Sequence, residues 1–279
     1  MASLLALLSS ILWGTADFFG GKLSKKYQAI AVTAVSQAFG LITAIIIVLV
    51  SSSWLKPAIG WDNYFISGVL AGLFGFAGLI AFYSGLATGR MGVVSPIASL
   101  SVLIPLTIAF ITGEKPNSTQ ILGMSIALLG AFCASGPEVK GGIAVKPVVL
   151  AIIAAFGFGF AVAFIARGSA SSAIMTMTTM RFTTFLIALF LFAKYRTFGG
   201  FTKKDLPLLI GVGAADLIAN LLLGVATTKG LVSLAVVLGS LFPIVTALLA
   251  FKLLHERLHK IQYVGIVFAI IGVAVISLG

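Results

Sequence analysis

Charge is what this chain of 279 residues has least of: 9% of its positions are Asp, Glu, Lys or Arg, where a soluble domain carries about 25%. So few charges cannot clothe a surface that faces water on every side, and a mean hydropathy of +1.18 agrees. An ordinary soluble fold is excluded. Cysteine is down to one, Cys133, which rules out an internal disulfide or a CxxC metal site. Histidine is down to two, His255 and His259, so a nucleophile triad has almost nothing to draw on, and no Gly-rich phosphate loop is present. A cleavable leader is also not expected, because the first apolar run lacks a basic start and carries Trp13 and Asp17 in place of a small-residue cleavage site. It reads as a retained first helix.

What the chain does have is apolar residue, 60% of the total, with 31 glycines among them. Apolar runs fall at 3–20, 29–50, 64–87, 93–112, 119–135, 147–167, 172–193, 206–227, 231–251 and 262–278. Each is about the length that crosses a bilayer as a helix. None alternates with a period of two, and an open strand in lipid would leave its backbone unpaired, so helices are expected over a barrel. The connections are too short to hold a separate domain, which puts all chemistry inside the bundle. The expected class is therefore all-α, a polytopic integral membrane bundle of ten helices with the lipid bilayer as its solvent.

Basic residues outnumber acidic ones by 18 to 7. They are scattered over short loops and not gathered into one patch, so nucleic acid is not an expected partner. The loops after spans 1, 3, 5, 7 and 9 hold 13 of the 18, the other four loops hold 4, and Arg181 lies inside a span. The positive-inside rule makes the richer side cytoplasmic and both termini non-cytoplasmic.

The chain also repeats itself. At an offset of 138, Gly92, Val94, Ser95, Leu100, Leu103, Pro105 and Ala109 fall on Gly230, Val232, Ser233, Leu238, Leu241, Pro243 and Ala247. Past the helix end the offset becomes 142, about one helical turn more. Glu114, Gln120, Gly123, Ala127, Gly130 and Ser135 then fall on Glu256, Gln262, Gly265, Ala269, Gly272 and Ser277. Gly14 and Lys22 pair with Gly159 and Arg167 near the repeat starts. Two repeats result, 1–136 and 147–279, of five spans each. An odd number of crossings turns the second repeat upside down in the membrane, and inverted repeats are a hallmark of secondary transporters.

These residues resemble the drug/metabolite transporter superfamily, specifically its EamA-type members. The resemblance rests on LWG at 12–14, the run from Gly92 to Pro105 followed by GEK and Q-x-x-G, the run from Gly230 to Ala250 followed by HERL and Q-x-x-G, and MRF at 180–182. It covers the whole chain and implies a membrane transporter of amino acids or other metabolites, with relatives that carry sugars or nucleotide sugars. It also implies termini in the cytoplasm, opposite to the charge count. Asp17 looks like a subgroup feature, so no role for it follows from the resemblance.

Three ionisable residues lie well inside spans: Asp17, Arg181 and Asp216. Each costs about 2.5 to 3.5 kcal/mol at a helix centre, so they are expected to face the bundle interior or one another. Arg181 would then receive a carboxylate of the cargo, and Asp17 or Asp216 would act as a cation site or a protonatable group, with protons a candidate coupling ion. The plainer reading is an Arg/Asp pair that fixes helix packing. Asn220 follows Asp216 by four residues and Trp13 precedes Asp17 by four, so each shares its neighbour's helix face. Gln37 holds in repeat one the place of Arg181 in repeat two, and Tyr83 lies near the end of span 3. For these four, interhelical hydrogen bonding or aromatic packing is the competing reading. Pro96, Pro105 and Pro243 interrupt spans 4 and 9, and the matched pair Pro105/Pro243 marks bends. The small residues at 68, 72, 75 and 78 suit close helix packing.

One motif points elsewhere. His255-Glu256-Arg257-Leu258-His259 is a literal H-E-x-x-H, the zinc-binding pattern of metalloproteases. It sits in a basic connection, its counterpart at Glu114-Lys115 has no histidine, and no third histidine exists. No metal or other cofactor is expected, and both histidines are expected to be dispensable. The expectation is a plasma-membrane transporter, not an enzyme, exporting small polar or zwitterionic metabolites by alternating access. Its alternatives are a sugar or sugar-conjugate uptake system, a passive channel and, remotely, the intramembrane protease.

Overall fold

The computed structural model describes residues 1–57, 59–89, 91–134, 144–195, 199–254 and 259–279, and among them every regular element is a helix. In chain order these are α1 (Ala2–Ser24), α2 (Ala29–Ser51), α3 (Tyr64–Thr88), α4 (Met91–Ser99), a 3-10 turn (Leu100–Val102), α5 (Leu103–Ile111), α6 (Ser118–Ala134), α7 (Val145–Tyr195), α8 (Leu206–Thr228), α9 (Val232–Gly239), α10 (Phe242–Leu254) and α11 (Lys260–Leu278). Eight helical stretches are long and apolar enough to cross a membrane, α4 with α5 and α9 with α10 each counting as one, and α6 is an apolar helix of 17 residues. The chain is a multi-pass membrane protein.

Nine apolar stretches stand where ten spans were expected, and α7 holds the difference. At 51 residues and 1.5 Å per residue it would measure about 75 Å if straight, far beyond a bilayer's hydrocarbon core. Ser172, with φ −163° and ψ 112°, breaks it. Beyond the break the chain doubles back, so that Gly168 packs on Thr176. The two legs run in opposite directions along α3: Gly78 meets Gly157 and Phe158 of the first, while Gly68 and Gly72 meet Thr179 and Met180 of the second. The expected spans 147–167 and 172–193 are these two legs.

Local chemistry sets several ends. Ser52 takes the left-handed conformation (φ 52°) and stops α2. At α6, Gln120 accepts a hydrogen bond from the backbone N–H of Asn117 while Asn117 Oδ1 accepts one from that of Gln120, a reciprocal cap. Gln262 in the same way accepts from the N–H of His259 at the start of α11. The repeated Gln thus serves the same purpose twice.

Glycine lets the repeats meet closely. Helices α6 and α11 cross antiparallel: Gly123 faces Ile276, Ala127 faces Gly272, Gly130 faces Ala269 and Gly265 faces Ala134. Exchanging the repeats at the offset of 142 turns this contact set into itself. A two-fold axis across the helices, rather than along them, does that, and it is the geometry of inverted repeats. Elsewhere Gly14 packs on Phe242 and Val245, and its counterpart Gly159 packs on Ile104, which is Phe242 shifted by 138. A Cβ on Gly14 would come within 2.5 Å of the Phe242 carbonyl and one on Gly159 within 2.7 Å of the Ser101 carbonyl, so neither helix tolerates a side chain there.

One inter-repeat contact was not foreseen. Glu114 was expected to favour the positive end of the helix that follows it, yet its carboxylate accepts hydrogen bonds from the N–H groups of Val232 (2.7 Å) and Ser233 (2.9 Å). It therefore caps α9 of the other repeat. Glu256 lies outside the described residues.

Candidate functional site

A cavity with about 750 Å³ of atom-free space lies between the repeats. Its walls are mainly apolar, from Trp13, Leu79, Val102, Pro105, Phe158, Val162, Leu223, Val236 and Phe242, with Gly75, Ala161 and Met180. Polar atoms come from Asp17 on α1, Gln37 on α2, Ser101 in the 3-10 turn, Arg181 on the second leg of α7, Asp216 and Asn220 on α8, and Ser240 between α9 and α10. A few convergent polar groups in an apolar concavity are the usual form of a small-molecule site.

Arg181 is at the centre and only 1% exposed. Its Nη1 donates to Gln37 Oε1, and its Nη2 stands 2.9 Å from Asp216 Oδ2. That contact pairs the charges without the alignment of a hydrogen bond, and among the described residues Nε and Nη2 have no hydrogen-bond partner. Gln37 Nε2 donates to the same Asp216 oxygen at 2.8 Å. Asn220 Nδ2 donates to the Asp216 carbonyl and, at 3.1 Å, to Oδ1. The i, i+4 spacing on α8 makes that last contact local, whereas Gln37 and Arg181 come from helices far apart in sequence.

Asp17 lines the same cavity at 8% exposure but joins neither the ion pair nor the amide network; among the described residues it has no hydrogen-bond or salt-bridge partner. Trp13, one turn earlier on α1, lines the wall and meets the Phe242 ring edge to face at 6.4 Å between centroids. Tyr83 is placed differently: it is buried against Gly20 of α1 and is not part of the cavity wall.

The matched prolines stand in equivalent places. Pro105 is the third residue of α5 and Pro243 the second of α10, each in the first turn after a helix break. There a missing N–H removes no helical hydrogen bond. Pro96 is inside α4. The breaks, at Leu100–Val102 and around Ser240–Leu241, contribute Ser101, Val102, Ser240 and Phe242 to the cavity. Sequence reasoning passed over these wall residues and Phe158. A signal existed for two of them, since Phe242 immediately precedes a repeated proline and Phe158 is Trp13 shifted by the 145 that relates Gly14 to Gly159.

That symmetry describes the whole site. Gly72 packs on the Met180 carbonyl and Gly213 on that of Ser36, so α3 and α8 are related by an offset of 141 and α2 and the second leg of α7 by 144. Gln37 then corresponds to Arg181, Gly75 to Asp216, Leu79 to Asn220 and Asp17 to Val162. The backbone frame is symmetric while the charges are not. Each ionised residue faces the cavity from one repeat, opposite an uncharged counterpart.

As for the zinc pattern, residues 255–258 lie outside the described residues and His259 is the N-cap of α11. Among the described residues no group of three His, Cys, Asp or Glu side chains is arranged to hold a metal.

Helix-only architecture, two repeats inverted about an in-plane axis, and a cavity between them at broken helices define a membrane transporter fold. The chain belongs to the EamA-like transporter family, which matches residues 1–136 and 145–278. A solved crystal structure with 18% sequence identity aligns over 99% of this chain and 96% of its own, with a TM-score of 0.80, and so shares the fold. No curated protein matches the chain by sequence.

Proposed function

We propose that this family member is a secondary transporter of small polar or zwitterionic metabolites such as amino acids, working by alternating access between its repeats and exporting across the plasma membrane. The observation that carries the reading is the buried Arg181–Gln37–Asp216 cluster at the wall of an otherwise apolar inter-repeat cavity. A charge so placed is costly unless it has work in the pathway. Cargo carboxylate exchanges with Asp216 at the guanidinium, whose Nε and Nη2 offer donors in a planar fork. Asp216, held meanwhile by Gln37 and Asn220, is not left bare.

The test is counterflow in proteoliposomes with a panel of radiolabelled metabolites. Arg181→Ala is expected to abolish transport of carboxylate-bearing compounds while the protein still purifies folded, and Arg181→Lys to rescue poorly because a fork becomes a point charge. Transport at the wild-type rate by the Ala variant returns the cluster to packing alone.

Orientation follows from charge in this reading, with the lysine-rich loops cytoplasmic and both termini outside. In a Cys133→Ala background, Lys203→Cys is expected to resist an impermeant thiol reagent added to intact cells. Labelling from outside reverses the orientation and leaves the fold untouched.

A further inference from the structure

We infer that Asp17 and Trp13 form a subsite for a positively charged nitrogen, so that the cargo of this transporter carries an ammonium group. The inference rests on the transport reading above and adds the cargo's second charge. Three observations meet here. Asp17 is more than nine-tenths buried, lines the cavity and has no hydrogen-bond or salt-bridge partner among the described residues. The one cation nearby is spoken for: Arg181 is paired with Asp216 and Gln37, so the ionised cavity carries an unbalanced negative charge at Asp17. And one turn away on the same face of α1, Trp13 adds an aromatic wall, steadied edge to face by Phe242.

A buried carboxylate beside an indole is the chemistry that holds an ammonium group, by charge pairing on one side and attraction to the ring on the other. In the second repeat the corresponding positions are Val162 and Phe158, both in the wall. The aromatic is thus duplicated and the carboxylate is not, which gives the cavity one cation subsite and a polarity along its length. An amine or quaternary ammonium seats there, and a carboxylate on the same molecule reaches Arg181. A cargo lacking the positive nitrogen leaves Asp17 bare in the apolar cavity and is discriminated against.

The experiment is a thermal-shift and calorimetric titration of the detergent-solubilised full chain with probes that separate the charges. Tetramethylammonium, choline and ethylamine carry the cation alone, alanine carries both charges, and propionate carries the carboxylate alone. Cationic and zwitterionic probes are expected to stabilise the wild type and propionate not. Asp17→Asn should weaken the cationic probes by about tenfold or more, the scale of one lost charge-assisted contact, and Trp13→Leu should act in the same direction. If Asp17→Asn does not yield a cooperatively melting protein, Asp17→Glu with Trp13→Leu reads the same subsite. Stabilisation by propionate alone, or cationic binding that survives Asp17→Asn unchanged, overturns the ammonium subsite and leaves the transporter intact. Absence of any response to any charge class overturns both the subsite and the cavity as the cargo's seat.

Discussion

At the scale of single residues, the cavity shows how a membrane protein tolerates ionised groups. Arg181 and Asp216 offset each other, and Gln37 and Asn220 occupy the lone pairs and protons that the pair leaves over. Removing one partner of a buried pair strands the other, at about 3–5 kcal/mol, whereas replacing both with apolar residues of similar volume is often neutral. Arg181→Met is therefore expected to lower the melting temperature of the purified protein sharply, and Arg181→Met with Asp216→Leu to recover much of it. Transport should be absent in both. A double variant no more stable than the single one would show that the ion pair does not hold the helices. Arg181, Asp17 and Asp216 were legible in the sequence because charges within apolar runs are conspicuous. That Arg181 would choose Asp216 over Asp17 was not legible, since it depends on the close approach of α2 to α8 at Gly213, where any Cβ would collide with the Ser36 carbonyl.

Among elements, the repeated Q-x-x-G resolves into two jobs. Gln120 and Gln262 close the first turns of α6 and α11, and Gly123 and Gly265 let those helices cross at backbone distance. Gln120→Ala and Gln262→Ala are each expected to cost about 1 kcal/mol, the size of an N-terminal cap, measured by thermal unfolding in detergent. No effect from either would mean that water caps these turns equally well. The link between α1 and α8 carries a pH signature. Hydrogen bonds to Asp205 from the Thr202 hydroxyl, the Tyr27 hydroxyl and the Thr202 backbone, with Lys26 adding a further one, hold its carboxyl well below the usual range. A depressed carboxylate stabilises at every pH above its unfolded value of about 3.9 and loses that contribution only as the pH falls through the lower folded value. The melting difference between wild type and Asp205→Asn should accordingly be flat from pH 8 to about pH 4 and shrink below it; a difference that fades near neutrality would assign it to another group. Element ends were legible within a few residues, because apolar length and turn residues fix them. The Glu114 cap on α9 was not, for it joins positions 118 residues apart.

For the molecule as a whole, the inverted repeats place matched clamps at opposite ends of the bundle. After α1, Lys26 and Tyr27 bind Asp205 at the start of α8. Near the end of the first leg of α7, Arg167 binds the Trp61 carbonyl and Asp62 just before α3. Each joins the first span of one repeat to the third of the other, and in each the cation lies over an aromatic ring, 4.7 Å from the centroid of Tyr27 and 4.6 Å from that of Trp61. As ion pairs they are weak, because Asp62 is 96% exposed and Lys26 60% exposed, and exposed pairs contribute about 0–1 kcal/mol. Weakness suits contacts that open and reform during a transport cycle: rocking of one repeat against the other parts one clamp while its twin stays shut, and a two-fold frame makes the two excursions nearly equal in energy. Locking either one should then arrest the cycle. With Cys133→Ala as background, paired cysteines at Lys26 and Asp205, or at Asp62 and Arg167, are to be joined by a cleavable bifunctional thiol reagent and transport measured before and after cleavage. Each cross-link alone is expected to stop transport and its cleavage to restore it. Transport that continues through one cross-link would confine the motion to the other end, and transport that continues through both would remove these clamps from the cycle.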